Sequence, residues 1–467
     1  MKESGLHNFT TIYFAGIGGI GMSGLAAYFL ASGVRVGGYD RVSSDITCAL
    51  EQKGAWIQFS ENIEELREWL GEGPYEKVLL VHTPAVSQSS PLFSFFQKLA
   101  VFQMKRAEVL GRITQSHVTI AVAGTHGKTT TSTMIAHLLI SAGRSCTAFL
   151  GGLSSNYQTN FIQSGVDAGD SLMVVEADEF DRSFLHLSPD YAVITSVDAD
   201  HLDIYHDEKS FKEGFQAFTG CIPPNGFLLC REGLEFLPVV PPNGQAKTYG
   251  FSASADFFAL NERIKAGKFH FSFSALGVEL NDLEVGLPGR HNLENAVAAV
   301  AIALRLGLSA EEIRCGLKTF RGVKRRFELI YEKNGRYFID DYAHHPTEIE
   351  ACLKAVRELY PGKKIAGVFQ PHLFSRTRDF ADAFAKSLSM LDDITLMEIY
   401  PAREQPLSGI DASFLLDKIP SDQKRLLKRE EVPAYVSKMD AGVLITLGAG
   451  DIDQLVQPIL EKLVLEW

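Results

Sequence analysis

Val118 to Val122 is an apolar run rich in β-branched residues. It feeds Ala123-Gly124-Thr125-His126-Gly127-Lys128-Thr129-Thr130-Thr131, and an apolar-periodic run through Met134, Ile135, Leu138 and Leu139 leaves that loop. The two periodicities dictate a buried strand followed by a helix, with a glycine turn at the helix N-terminus. This junction constrains the chain most, because a buried strand handing over to a helix is the unit of a parallel α/β sheet. It is also where phosphates bind. Glycines let the backbone approach an anion, the first N–H groups and the helix dipole favour negative charge, a lysine reaches terminal phosphates and a threonine hydroxyl ligates Mg2+. Lys128 takes the phosphate role and Thr129 the metal role. The loop is the short form G-x-x-G-K-T, since Val122 stands where the longer G-x-x-x-x-G-K-[ST] pattern would place its first glycine.

At 467 residues the chain exceeds one core, and length alone suggests about three domains. Its 46% hydrophobic and 22% charged residues are those of an ordinary globular protein, and a formal net charge of −12 argues against a non-specific nucleic-acid or anionic-membrane surface. An anionic ligand must then be held by local groups. The cysteines (Cys48, Cys146, Cys221, Cys230, Cys315, Cys352) include no C-x-x-C pair, which fits reduced cytoplasmic thiols and neither a disulfide framework nor a zinc site. Ile12 to Val34 carries no charge and is long enough to span a bilayer, but it holds six glycines in a pattern explained below and lacks a basic leader, so neither a signal peptide nor a membrane helix is expected.

Thr10 to Ala15 reads as a buried strand, and Gly16-Ile17-Gly18-Gly19-Ile20-Gly21 opens a helical run through Met22, Leu25, Ala26 and Phe29. This is G-x-G-x-x-G in strand-loop-helix context. A second strand, Val34 to Tyr39, ends at Asp40, about 20 residues on, where a dinucleotide fold places its ribose-binding acid. A third strand, Lys77 to Val81, ends at His82-Thr83-Pro84, on the carboxyl edge where ligands of open sheets lie. The N-terminal part is therefore read as binding a nucleotide diphosphate.

Downstream, the strand Ser171 to Val175 finishes in Glu176-Ala177-Asp178-Glu179-Phe180-Asp181, and an acid at a strand tip beside a phosphate loop is the usual second anchor for Mg2+; Glu176 is chosen. Tyr191 to Val197 ends in Asp198-Ala199-Asp200-His201-Leu202-Asp203. His201 reads equally well as a metal ligand or as a structural histidine in an N-cap cluster. Residues 226 to 284 suggest antiparallel strands added to the central domain. Asn292 and Asn295 lie three apart before an alanine-rich helix, as helix-capping amides or as readers of a base edge, capping being favoured. Near the C-terminus, strands at 337–339, 364–369 and 443–447 run into Asp340-Asp341-Tyr342-Ala343-His344-His345, into Gln370-Pro371-His372-Leu373-Phe374-Ser375-Arg376 and into Gly448-Ala449-Gly450-Asp451, which suggests a ligand-facing rim.

With these motifs in order, the chain resembles the Mur ligases over essentially its whole length. The shared stretches are 16–26, 124–131, 176–185, 200–205, 289–299, 325–328, 340–348 and 369–379. The resemblance implies three α/β domains: a Rossmann-like UDP-sugar domain (1–113), a central ATPase-like parallel sheet with extra antiparallel strands (114–322) and a Rossmann-like C-terminal domain that brings the amino acid and closes (323–467). It implies ATP and Mg2+, with UDP-N-acetylmuramate and L-alanine as substrates in peptidoglycan precursor synthesis, and no nucleic acid, membrane insertion or obligate protein partner. UDP-sugar contacts would fall on Gly16, Gly18, Gly19, Ile20, Gly21, Asp40 and Thr83. ATP contacts would fall on Gly124, Thr125, His126, Gly127, Lys128, Thr129 and Thr130, on Asn292 and Asn295 for adenine, on Arg326 for phosphate and on Asp341 for ribose. Metal contacts would fall on Thr129, Glu176 and His201, and L-alanine would be held by Tyr342, His344, His372 and Arg376. Lys128, Glu176, His201, His344 and Arg376 would carry the chemistry.

Two departures stand out. Several relatives carry a carbamylated lysine where this chain has Phe215 or Gln216, so a second metal site is built differently here or binds more weakly. Some alanine-adding relatives have an arginine in place of Leu373. The rival within the family is the recycling branch that adds a whole tripeptide to the same UDP-sugar. The rival from another class, suggested by the first glycine loop and Asp40, is a dinucleotide-binding oxidoreductase or regulatory module, which would leave the second loop and Glu176 without a role.

Overall fold

The structure, a computed structural model, describes residues 5–84, 86–87, 89–165, 171–198, 202–205, 207–265, 268–275, 277–402 and 404–467. His201 lies outside the described residues. The described residues build three sheets.

The first sheet contains β1 (Thr11–Ala15), β2 (Arg35–Tyr39), β3 (Trp56–Gln58), β4 (Val78–His82) and β5 (Phe102–Lys105) in the order β3-β2-β1-β4-β5. Every pairing is parallel, with Thr11 opposite Arg35 on one side and Val78 on the other. β1 is buried on both faces. Ile12 and Phe14 pack with Met22, Leu25 and Phe29 of the helix Ile20–Ala31, while Tyr13 and Ala15 join Leu80, Leu92 and Phe96 on the other face. The strand order reverses between β1 and β4, and the carboxyl ends of strands at such a switch point are where open α/β sheets place their ligands.

The second sheet contains β6 (Val118–Ala123), β7 (Cys146–Phe149), β8 (Phe161–Ser164), β9 (Leu172–Glu176), β10 (Tyr191–Ile194), β11 (Phe227–Arg231), β12 (Gln245–Gly250), β13 (Phe257–Lys265), β14 (Lys268–Ala275) and β15 (Val278–Val285). Its order is β15-β14-β13-β12-β11-β10-β6-β9-β7-β8. β6 runs parallel between β9 and β10, with Val122 opposite Glu176 and Ala123 opposite Ile194. The expectation of antiparallel strands over 226–284 needs correcting at its start. β10, β11, β12 and the first residues of β13 pair in parallel, extending the central sheet, and the connection of about a dozen residues from β11 to β12 is long enough for a crossover. Only β13 to β15, neighbours joined by two-residue connections, must reverse direction.

The third sheet contains β16 (Glu328–Lys333), β17 (Arg336–Asp341), β18 (Ile365–Phe369), β19 (Asp393–Leu396), β20 (Lys424–Leu426) and β21 (Val443–Leu447), ordered β16-β17-β21-β18-β19-β20. It is parallel apart from β16 against β17. The chain divides into two compact units, one of residues 1–262, 271–284 and 294–320, the other of residues 263–270, 285–293 and 321–467. Among the described residues no helix is long and apolar enough to cross a membrane.

Candidate active site

In the first unit β6 delivers the chain into the phosphate loop, and the helix Lys128–Ser141 leaves it. Gly124 has φ +140° and Gly127 φ +82°, a backbone that side chains rarely adopt. A Cβ on Gly124 would run into the Thr195 hydroxyl, and one on Gly127 would sit 2.6 Å from Asn295 Oδ1. The loop is held open by the segment after β10. Ser196 accepts from the amides of Thr125 through its carbonyl (3.3 Å) and of His126 through its hydroxyl (2.7 Å), and the Thr125 hydroxyl donates to the Asp198 carbonyl (2.6 Å). Asn295 therefore faces the loop, whereas the Asn292 amide donates to the Pro288 carbonyl (2.6 Å) as a helix-start residue would.

Lys128 folds back on this cradle. Its ammonium donates to the carbonyls of Gly124 (2.5 Å) and Thr125 (3.2 Å) and meets Glu179 at 2.9 Å. Burial works against the charged lysine, but the carboxylates of Glu179, Glu176 and Asp178 outweigh it and hold its pKa above the ordinary value. Burial pushes the Glu179 carboxyl up to about 7, against the pull of Lys128.

Glu176 ends β9 beside the loop, as its register with Val122 requires, and Oε2 accepts from the Gly151 amide (3.0 Å). A Cβ on Gly151 would collide with this carboxylate. A threonine hydroxyl at position 129, in the first turn of a helix, and a carboxylate at a neighbouring strand tip form the hard oxygen set that suits Mg2+, which takes only one or two protein carboxylates beside phosphate oxygens. Thr129 and Glu176 thus fit the ion. Phe215 does not belong to such a set. It is fully buried in the helix Glu208–Thr219, edge-on to Phe184 at 5.4 Å and close to Phe211, and Gln216 beside it is exposed.

At the other glycine loop, Gly16 (φ +87°) donates to the Tyr39 carbonyl (2.8 Å) and Gly19 caps the helix that starts at Ile20. The Gly18 amide donates to Asp40 Oδ2 (2.7 Å). Asn160, just before β8, donates to the Ile20 carbonyl (2.5 Å) and to Ser23 Oγ (3.0 Å), tying this loop to the second sheet. A Cβ on Gly21 would lie 2.7 Å from the Arg106 guanidinium, which in turn meets Asp178 at 3.4 Å. Thr83 is half-buried at the end of β4.

The second unit gathers the C-terminal residues. Asp341 ends β17 with one oxygen accepting from the Phe327 amide and the other from the Ala343 amide, both at 2.7 Å. Burial pushes its carboxyl up to about 6, opposed by Arg326 and those amides. Arg325 and Arg326 stack over the Tyr342 ring at 5.2 and 4.9 Å, and Arg326 lies 3.8 Å from Glu348. The His344 ring meets Glu348 at 3.2 Å and stands edge-on to Tyr342 and His372. His372 stacks on Tyr400 and lies 3.4 Å from the buried Arg376 guanidinium. Tyr342, His344, His372 and Arg376 thus form one cluster.

Three residues at these sites escaped sequence reasoning: Glu179, Arg106 and Glu348. The acidic run after β9 advertised Glu179 but gave no way to choose it among four acids. Glu348 closes the shared stretch 340–348 but had no role assigned within it, and Arg106 lies in no motif.

Comparison with known proteins matches the family profiles "Mur ligase family, catalytic domain" over residues 11–117, "Mur ligase middle domain" over 122–303 and "Mur ligase, glutamate ligase domain" over 325–450. The chain belongs to the Mur ligase family. A UDP-N-acetylmuramate--L-alanine ligase of Parabacteroides distasonis is 46% identical to this Mur ligase over 458 residues, 98% of each chain. Among solved structures, the UDP-N-acetylmuramate-alanine ligase MurC of Thermotoga maritima is 26% identical with a TM-score of 0.81, covering 98% of this chain and 100% of its own. A murein peptide ligase of Psychrobacter arcticus has the same fold at 23% identity and a TM-score of 0.70, covering 97% and 98%.

Proposed function

We propose that this Mur ligase joins L-alanine to the lactyl carboxylate of UDP-N-acetylmuramate at the cost of one ATP, releasing ADP and phosphate in the cytoplasm as a step of peptidoglycan precursor synthesis. The observation that carries the ligase reading is the pair of glycine loops in one compact unit, the first of them tied through Asn160 to the sheet that carries the second. Two anionic substrates need two such loops, whereas a dinucleotide-binding oxidoreductase needs one. L-Alanine as the acceptor is supported by relatives of that name, about 45% identical along their full length.

A carboxylate oxygen of the UDP-sugar attacks the γ-phosphorus of ATP and ADP departs, leaving an acyl phosphate. The alanine amine then attacks the acyl carbon, and the C–O bond to phosphate breaks. Negative charge spreads over the transferring phosphoryl oxygens, and Lys128, in a loop whose backbone is fixed by Ser196 and Thr125, supplies preorganised positive charge there. Bound Mg2+ would neutralise further phosphoryl charge, held by Thr129, Glu176 and His201. On this reading Gly124 to Thr130 cradle the phosphates, Asn292 and Asn295 meet adenine, Asp341 the ribose and Arg326 a phosphate. Gly16, Gly18, Gly19, Ile20, Gly21, Asp40 and Thr83 hold the UDP-sugar over domain 1–113. Tyr342, His344, His372 and Arg376 hold alanine, the planar guanidinium of Arg376 pairing with its carboxylate.

The chemistry is tested with UDP-N-acetylmuramate carrying 18O in the lactyl carboxylate. Acyl-phosphate formation moves one label into inorganic phosphate. Unlabelled phosphate alongside alanylated product would contradict it.

A further inference from the structure

An ammonium group has three donors. Those of Lys128 are matched by three internal acceptors: the Gly124 carbonyl, the Thr125 carbonyl and the Glu179 carboxylate, both of whose oxygens lie 2.9 Å away. A phosphate can reach Lys128 only by displacing one of them. Of the three, the carboxylate carries the charge a phosphate would replace and repel.

The turn that brings Glu179 there is built at a cost. Asp181 and Arg182 both adopt left-handed backbone, with φ 53° at each, although neither is glycine. Such residues cost about 1–3 kcal/mol each and gather at functional sites. The turn is pinned by the buried Tyr205 hydroxyl, which donates to the Glu179 carbonyl (2.6 Å). The Glu179 side chain is only 2% exposed, so its carboxylate has been taken out of water to face this lysine.

We infer that Glu179 is an internal stand-in for nucleotide phosphate: it is a positioning residue that holds Lys128 against the loop and competes with the nucleotide for it. The inference rests on the phosphate-loop reading of Gly124 to Thr130. It makes nucleotide affinity lower than the loop alone would give, because each binding event exchanges one charged partner of Lys128 for another. Removing the internal charge leaves Lys128 an uncompensated buried ammonium until a phosphate supplies its counter-charge.

The test is calorimetric titration of the full-length protein with ADP in EDTA at pH 8, where the Glu179 carboxyl is ionised. Glu179→Gln keeps an oxygen for Lys128 without the charge and is expected to bind ADP about tenfold tighter, the scale of one charged hydrogen bond. Glu179→Asp keeps the charge one methylene short of its partner and should tighten binding by a few-fold. In a Lys128→Met background the Glu179→Gln gain should vanish. A folded Glu179→Gln or Glu179→Asp protein that binds ADP no more tightly than wild type overturns the inference, since a merely structural role would lower stability without raising affinity. No binding by the wild type, or undiminished binding by Lys128→Met, would instead overturn the phosphate-loop reading.

Discussion

The backbone amide of Gly18 donates to Asp40 Oδ2 over 2.7 Å, and a Cβ on Gly18 would lie 2.8 Å from that same oxygen. The acid at the end of β2 therefore sets the shape of the glycine loop before it can meet any ligand. A carboxylate has lone pairs enough to do both. Gly18→Ala should push the Asp40 carboxylate away and raise the KM for UDP-N-acetylmuramate about tenfold or more, given the sensitivity of such sites to ångström-scale displacement. The KM for ATP should stay near the wild-type value; steady-state kinetics with each substrate varied separately reads both.

Lys128→Met should lower kcat about a hundredfold or more, the scale of a lost transition-state donor. It also strands the buried Glu179 carboxylate, so urea unfolding at pH 8 should report a loss on the order of 3 kcal/mol. Normal turnover in this variant would remove Lys128 from the phosphate site.

His137 titrates the fold. It is buried on the phosphate-loop helix, its ring nitrogens 2.9 Å from the Tyr157 hydroxyl and 3.0 Å from the Thr319 hydroxyl, and burial lowers its pKa to about 4. An unfolded histidine titrates near 6.5, so below that pH the unfolded chain binds a proton that the folded chain refuses. The stability is fully present above pH 6.5 and lost as pH falls towards 4, about 2 kcal/mol of it between pH 7 and pH 5. Urea unfolding at those two pH values should show a shallower slope for His137→Gln than for the wild type.

Arg376 is buried beside His372, inside the cluster with Tyr342 and His344. Arg376→Ala should raise the KM for L-alanine about ten- to a hundredfold, the range of a charged hydrogen-bonded contact, with little change for ATP. Arg376→Lys should recover only part of this, because an ammonium cannot pair with both carboxylate oxygens as the fork does. An effect confined to ATP would contradict the assignment.

Much of the architecture was legible because buried parallel strands and glycine turns leave strong local marks: the run into Gly124, the run into Gly16 and the strand ending at Glu176 all fall where the periodicities place them. What stayed hidden depends on contacts distant in sequence. Nothing in Glu176-Ala177-Asp178-Glu179 tells which acid turns inward, since that choice is made by the Tyr205 hydroxyl and by Lys128. Asp341 reads as a ligand-binding acid, yet its oxygens already hold two backbone amides, that of Ala343 in its own loop and that of Phe327 from the segment before β16. The strands β11 and β12 look like pieces of a meander because parallel pairing is set by the crossover between them, which alternation along a strand cannot encode.

The central claim is alanine addition, and phosphate release by the purified protein with ATP, Mg2+ and UDP-N-acetylmuramate tests it most directly, with L-alanine, glycine, L-serine, D-alanine or the stem tripeptide supplied in turn. The account predicts release that depends on L-alanine. Release with the tripeptide alone would make the protein the recycling ligase, and release with none of these acceptors would contradict the ligase reading.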